Sequence, residues 1–221
     1  MQTIVISLGG SIIAPNKINY KFLEEFKKAI LNNKKYKFII ICGGGKTARN
    51  YIEAARKEHL TEKEFSILGI MATRMNAELV QEILKLNNKL PITQEEVLKL
   101  KQRIIVCGAL GNRPKMTSDA NAAELSQLTK AKCFINMTNV SGLYTKDPNK
   151  YKNAKLIKEI TFKDFNEKIK KIKYEAGQHF VLDQKASKII MENHILTYII
   201  QGNNNLNKIL NNKEFIGTII S

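Results

Sequence analysis

Two glycine clusters, Gly9-Gly10-Ser11 and Gly43-Gly44-Gly45, each end an apolar run and lead into residues with helical character. A glycine backbone can bring its N–H close to an anion, and a helix starting there adds its positive N-terminal dipole. Such a pair suits a phosphate chain held between two strand ends. Arg49 follows the second cluster by one helical turn, where its guanidinium fork matches phosphate geometry. Downstream, "MTSDANAA" places Thr117, Ser118 and Asp119 at a helix start. Hydroxyls and N–H groups there serve a plain N-cap or a second anion site equally well.

Better-known phosphate motifs do not fit. A P-loop ending in Gly45-Lys46-Thr47 requires a glycine where Ile40 stands. Gly43, Gly45 and Ala48 satisfy the relaxed dinucleotide spacing, but that fingerprint belongs to a first βα turn, and a strand and a helix precede it here. Cys42, Cys107 and Cys133 sit in or beside apolar runs without metal-type spacing and read as buried free thiols. His59, His179 and His194 are too far apart to suggest zinc.

These residues need a scaffold, and the chain alternates to supply one. Strand-like runs occupy 3–8, 37–42, 103–107, 132–137, 196–200 and 217–220, with helical spacing over 20–31, 46–57, 69–86 and 118–129. Alternating βα units predict a mainly parallel sheet with helices on both faces, binding ligands beyond the strands' carboxyl ends. Four such ends carry chemistry: the two glycine clusters, "GALGNRPKMTSD" and "TNVSGLYTKDP". We expect one domain over 1–221, its loop-like "NVSGLYTKDPNKYKNAK" dividing lobes of about 1–137 and about 138–221.

At 221 residues, 43% hydrophobic and 25% charged, the composition is that of a folded chain with a sizeable core. No apolar run approaches a membrane span, and no signal-peptide pattern is apparent at the start, so a cytoplasmic protein is expected. The net charge of +16 admits nucleic acid, an anionic membrane surface or a phosphate-rich ligand. The lysines, however, are spread along the whole chain, aromatics are 7%, and no RNA-module signature is visible, which disfavours nucleic acid.

The ordered series "ISLGGS", "CGGGKTARNYIEAA", "LGIMATRMNAELV", "TSDANAAELSQLTKA", "TNVSGLYTKDP", "KASKII" and "GTII" resembles the amino acid kinase family. Within it, the chain is most similar to the short archaeal-type uridylate (UMP) kinases. The resemblance covers essentially the whole chain. It implies a three-layer αβα sandwich with an acceptor half and an ATP half, and a homohexamer built as a trimer of dimers. The implied reaction moves the γ-phosphoryl group of ATP to UMP, with Mg2+ carried by the nucleotide phosphates. Phosphoryl transfer asks a protein mainly to align two phosphate-bearing substrates and neutralise their charge.

By this resemblance Gly9, Gly10 and Ser11 hold the ATP phosphates, and Gly43, Gly44 and Gly45 lie between donor and acceptor. Arg49 clamps a phosphate, Thr117 and Ser118 face the acceptor, and Asp119 organises the catalytic cations. Thr138, Asn139, Gly142, Tyr144 and Asp147 match the base and ribose loop. The chain also departs from the pattern. Ser7 stands where many members have a lysine, leaving Lys17, Lys46, Lys115 and Lys185 as candidate replacements. Ser66 takes the place of an acid just before the "GIMAT" helix, and Ser141 that of the acid in "TNVDG". The 108–116 loop is long, lacks an expected threonine, and adds Arg113 and Lys115 beside the acceptor. Lys46, Thr47, Ala48 and Arg49 stand where isopentenyl phosphate kinases place a histidine. UMP is therefore the expected acceptor. Another phosphorylated small molecule, a nucleotide sensor with weakened catalysis, or a basic nucleic-acid-binding protein are the alternatives.

Overall fold

The computed structural model describes every residue except 112, 114, 115, 149 and 172–180. Lys115 and His179 therefore lie outside the described residues. The chain runs β1 (Gln2–Leu8), α1 (Gly10–Ile13), α2 (Tyr20–Asn32), β2 (Tyr36–Cys42), α3 (Gly45–Ala55), α4 (Glu62–Leu84), α5 (Gln94–Lys99) and β3 (Ile104–Cys107). It continues through α6 (Ser118–Leu128), β4 (Cys133–Met137), β5 (Glu159–Ile160), α7 (Phe162–Lys170), α8 (Gln184–Glu192), β6 (Thr197–Ile200), α9 (Gly202–Leu210) and β7 (Gly217–Ile220).

The strands form a single sheet ordered β3-β2-β1-β4-β6-β7-β5. Pairings from β3 to β6 are parallel; β7 runs antiparallel to β6 and parallel to β5. The central strands are apolar almost throughout because both faces are covered, as parallel sheets require. One face carries Ile4, Ile6, Leu8, Phe38 and Ile40 against Leu23, Phe26 and Ile30 of α2, Ala77 and Val80 of α4, and Leu206 of α9. The opposite face carries Val5, Ile39, Ile41 and Phe134 against α6, with Phe165 of α7 and Ile190 of α8. Ala120, Ala122 and Ala123 are fully buried, so the small side chains of α6 let its backbone lie close to the sheet. This is the expected three-layer α/β arrangement.

Element boundaries differ from expectation mainly at α4. It begins at Glu62, seven residues before the expected start, because Thr61 and Glu64 form a capping box. Ser66 consequently lies inside this helix, half-buried, rather than in a loop ahead of it. Strand β5 is an unexpected two-residue edge.

Candidate functional site

The strand order reverses direction at β1, with β2 on one side and β4 on the other. This is the switch point where open α/β sheets leave room for ligands. Past the strands' carboxyl ends the ladder continues into the loops: Gly43 N–H donates to Leu8 O at 2.9 Å, Gly9 N–H to Met137 O at 3.0 Å, and Thr138 N–H to Ile200 O at 2.9 Å. The loops after β1, β2, β4 and β6 are thus joined side by side.

The two glycine loops interlock backbone to backbone. A Cβ on Gly10 would lie 2.2 Å from Gly45 N, and one on Gly45 would lie 2.2 Å from Gly10 C. Gly45 also adopts φ +57. These glycines are required by each other, whatever binds above them. Asn76 of α4, 2% exposed, donates to Gly43 O at 2.7 Å and Gly44 O at 3.3 Å, which satisfies those carbonyls from the helix side. Neighbouring Thr73 accepts from Ala109 N–H at 2.8 Å and ties the loop after β3 to the same helix. Gly108 permits that approach, since its Cβ would meet Arg74 N at 2.7 Å.

At the start of α6, Thr117 caps Ala120 N–H at 3.0 Å and donates to the Asp183 carboxylate, which itself caps α8. Ser118 Oγ lies 3.4 Å from where a Gly43 Cβ would stand, so the α6 N-terminus abuts the second glycine loop. Asp119, in the first turn of α6, accepts on one oxygen, Oδ1, from Ser7 Oγ at 2.6 Å and Asn136 Nδ2 at 3.2 Å. Burial, helped by the negative charge of Asp183, pushes its acid up to about 7, against the opposing pull of the Ser7 and Asn136 hydrogen bonds. The carboxyl is closely surrounded by protein while the residue as a whole is only half-buried, and its contacts with the carboxyl ends of β1 and β4 set it at the base of the cleft.

The remaining expected site residues are placed unevenly. Ser11 lies in α1, half-buried beside Gly9 and Gly10, and Arg49 projects exposed from α3. Arg113 does not stand free for an acceptor: it pairs with Glu124 at 2.8 Å and donates to Asn121 Oδ1 at 3.0 Å. Among the candidate cations, Lys46 Nζ donates to Asn16 Oδ1 at 2.7 Å, Lys185 Nζ lies 3.9 Å from Glu124, and Lys17 is exposed. In the loop after β4, Thr138 donates to Asn139 Oδ1 at 3.4 Å. Ser141 donates to Gln201 Oε1 at 3.0 Å, and Gln201 Nε2 to Asn139 O at 3.0 Å. Gly142 packs on Thr218, where a Cβ would come within 2.6 Å of its hydroxyl. Tyr144 bridges to Leu156, and the backbone carbonyl of Asp147 closes a turn with Tyr151 N–H.

Sequence reasoning assigned no role to Asn76, Asn136, Asp183 or Gln201. Asp183 does carry a local signal, an Asp two residues before the helical "KASKII", and Asn136 is the one amide in the apolar run "CFINM". The concavities of about 370 Å³ between α2 and α4 and about 190 Å³ beside Leu110 and Arg113 lie off this strand-end cleft.

The sequence pattern of the amino acid kinase family matches residues 2–201. The chain belongs to the amino acid kinase family. It is 38% identical over 231 residues to the uridylate kinase of Methanococcus aeolicus, covering 99% of each chain. It is 36% identical over 223 residues to that of Thermoplasma volcanium, covering 99% of this chain and 97% of the relative. The crystal structure of uridylate kinase from Archaeoglobus fulgidus superposes with a TM-score of 0.87 at 34% identity, covering 100% of both chains. UMP kinase from Ureaplasma parvum shares the fold at a TM-score of 0.79, with 22% identity and coverage of 100% of this chain and 98% of that one.

Proposed function

We propose that this member of the family transfers the γ-phosphoryl group of ATP to UMP, giving UDP and ADP. The observation that carries the reading is the meeting of two interlocked glycine loops with the N-termini of α3 and α6 beside a buried acid, in a chain similar end to end to uridylate kinases. Two helix N-termini and the glycine N–H groups supply the positive potential that two phosphate chains placed end to end require.

In this reading Gly9, Gly10 and Ser11 face the donor phosphates, Gly43, Gly44, Thr117 and Ser118 the acceptor, and Arg49 folds over the cleft when substrates fill it. Thr138, Asn139 and Tyr144 line the donor base and ribose, with Gln201 added to them through its contacts with Asn139 and Ser141. The acceptor then belongs to the half formed by about 1–137 and the donor to about 138–221. Mg2+ would arrive on the nucleotide phosphates and supply charge neutralisation across the transferring group. The adjacent Asp119 and Asp183 fit such a partner, since their mutual repulsion is relieved by positive charge nearby. Lys46 and Lys185, each in the first turn of a helix, are the described cations best placed to replace the lysine missing at position 7.

We also propose a homo-oligomer, a hexamer assembled as a trimer of dimers. Supporting it, α4 exposes Ile67, Met71 and Met75 in one stripe, and the adjoining α3 exposes Tyr51. We also propose that the protein acts in the cytoplasm; among the described residues no helix is long and apolar enough to cross a membrane. A coupled ADP-release assay with UMP, CMP, dUMP and isopentenyl phosphate tests the reaction. UMP should give the highest kcat/KM, and turnover of another acceptor at a higher rate, or of none, would replace this reading.

A further inference from the structure

Ser7 and Asn136 are polar residues in strands otherwise built from large apolar side chains, and they are 1% and 3% exposed. They are register partners, directly opposite each other on β1 and β4. They therefore share one face of the sheet, the face on which Val5 and Phe134 pack against α6. Both donate to the same atom, Asp119 Oδ1. No hydrogen bond from a described residue reaches Oδ2.

A pair of buried donors on adjacent strands would ordinarily be replaced by apolar side chains, as at Val5, Ile41, Phe134 and Ile199 around them, unless their partner needed them. Their partner is a carboxyl group buried at the base of the cleft. By gripping one oxygen from two directions they fix the rotation of the carboxyl plane and leave the second oxygen without such a partner among the described residues. A hydrogen bond to an ionised group is among the stronger ones a protein makes. Among the described residues, the charged group acting on the acid is Asp183, at the N-terminus of α8.

We propose that Ser7 is a positioning residue of the transfer reaction: its hydroxyl, together with the Asn136 amide, holds Asp119 by Oδ1 and presents Oδ2 to the transferring phosphoryl group and its cations. Position 7 thus works through a neutral hydroxyl acting on the acid. This inference rests on the proposed reaction for its kinetic consequence, and on geometry alone for the grip on Asp119.

The test uses the full chain with Ser7→Ala and Ser7→Thr. Carbon-13 carboxyl titration by NMR reports the grip directly and needs no activity. Removing the hydroxyl should move the Asp119 midpoint upward, and threonine, which keeps the donor, should return it toward wild type. In steady-state kinetics Ser7→Ala should lower kcat by about tenfold, the scale of one charge-assisted hydrogen bond. KM for both nucleotides should stay within about twofold, and Ser7→Thr should recover most of the loss. An unmoved midpoint in Ser7→Ala overturns the grip. A moved midpoint with unchanged kcat overturns the positioning role. A moved midpoint in a protein that transfers phosphate to no acceptor keeps the grip and rejects the proposed reaction instead.

Discussion

Asp119 combines an acid held near neutrality with a position at the foot of the cleft, and this has a measurable stability signature. Its folded-state value, about 7, lies above the ordinary carboxylate value. The native chain therefore keeps a proton that the unfolded chain has already released. The stabilising contribution is complete below about pH 4 and is lost as pH rises through about 7. Asp119→Asn removes the titration while keeping an acceptor for Ser7. It should raise Tm at about pH 8, by about 2–4 °C for each kcal/mol relieved, and give no gain at about pH 4. Scanning calorimetry at the two pH values checks this, and an equal gain at both would reject a charge-based origin. Phosphoryl transfer should fall by about a hundredfold at the same time. Sequence alone could bring Asp119 forward as a helix-start acid whose role came from the family pattern. It could not supply Ser7 or Asp183 as neighbours. The Ser7 contact joins residues 112 positions apart and the Thr117–Asp183 contact spans 66, and caps and periodicities carry no distances of that kind.

Among the elements, strands and the large N-terminal helices were legible because their apolar spacing is strong, and the glycine loops because they follow those strands. The early start of α4 was hidden because its first turn, Glu62, Lys63 and Glu64, is polar; only the Thr61–Glu64 capping pair marks it. The glycines also meet a packing requirement that spacing does not show. Gly10 and Gly45 exclude a Cβ through contact with each other, and Gly44 through Ala48 Cβ at 2.7 Å, so phosphate approach is not needed to explain them. Gly45→Ala should therefore destabilise the ligand-free fold by about 3 kcal/mol or more, adding overpacking to an unfavourable φ. Gly202→Ala provides the contrast, since Gly202 has φ +79 but nothing within 4 Å of its would-be Cβ. It should cost only about 1–2 kcal/mol. Urea denaturation of both variants decides the matter, and equal losses would show that backbone conformation alone sets the requirement.

For the whole molecule, overall charge was the least informative quantity: 36 basic against 20 acidic residues describe the surface, while the site is organised by two carboxylates, hydroxyls, amides and backbone groups. The proposed assembly would rest instead on an apolar stripe. Met71 is 56% exposed between Ile67 and Met75. Met71→Glu should reduce the sedimenting mass without lowering helix content, and an unchanged mass would move the contact elsewhere. The interlock of Gly10 with Gly45 has a last consequence, for product exit. Two loops packed this closely have little room to shift past each other, so in the proposed site the floor beneath donor and acceptor would stay fixed along the β1–β2 seam. In that reading ADP and the phosphorylated product would leave over the walls, and turnover limited by release would respond to changes in those walls while remaining deaf to the floor.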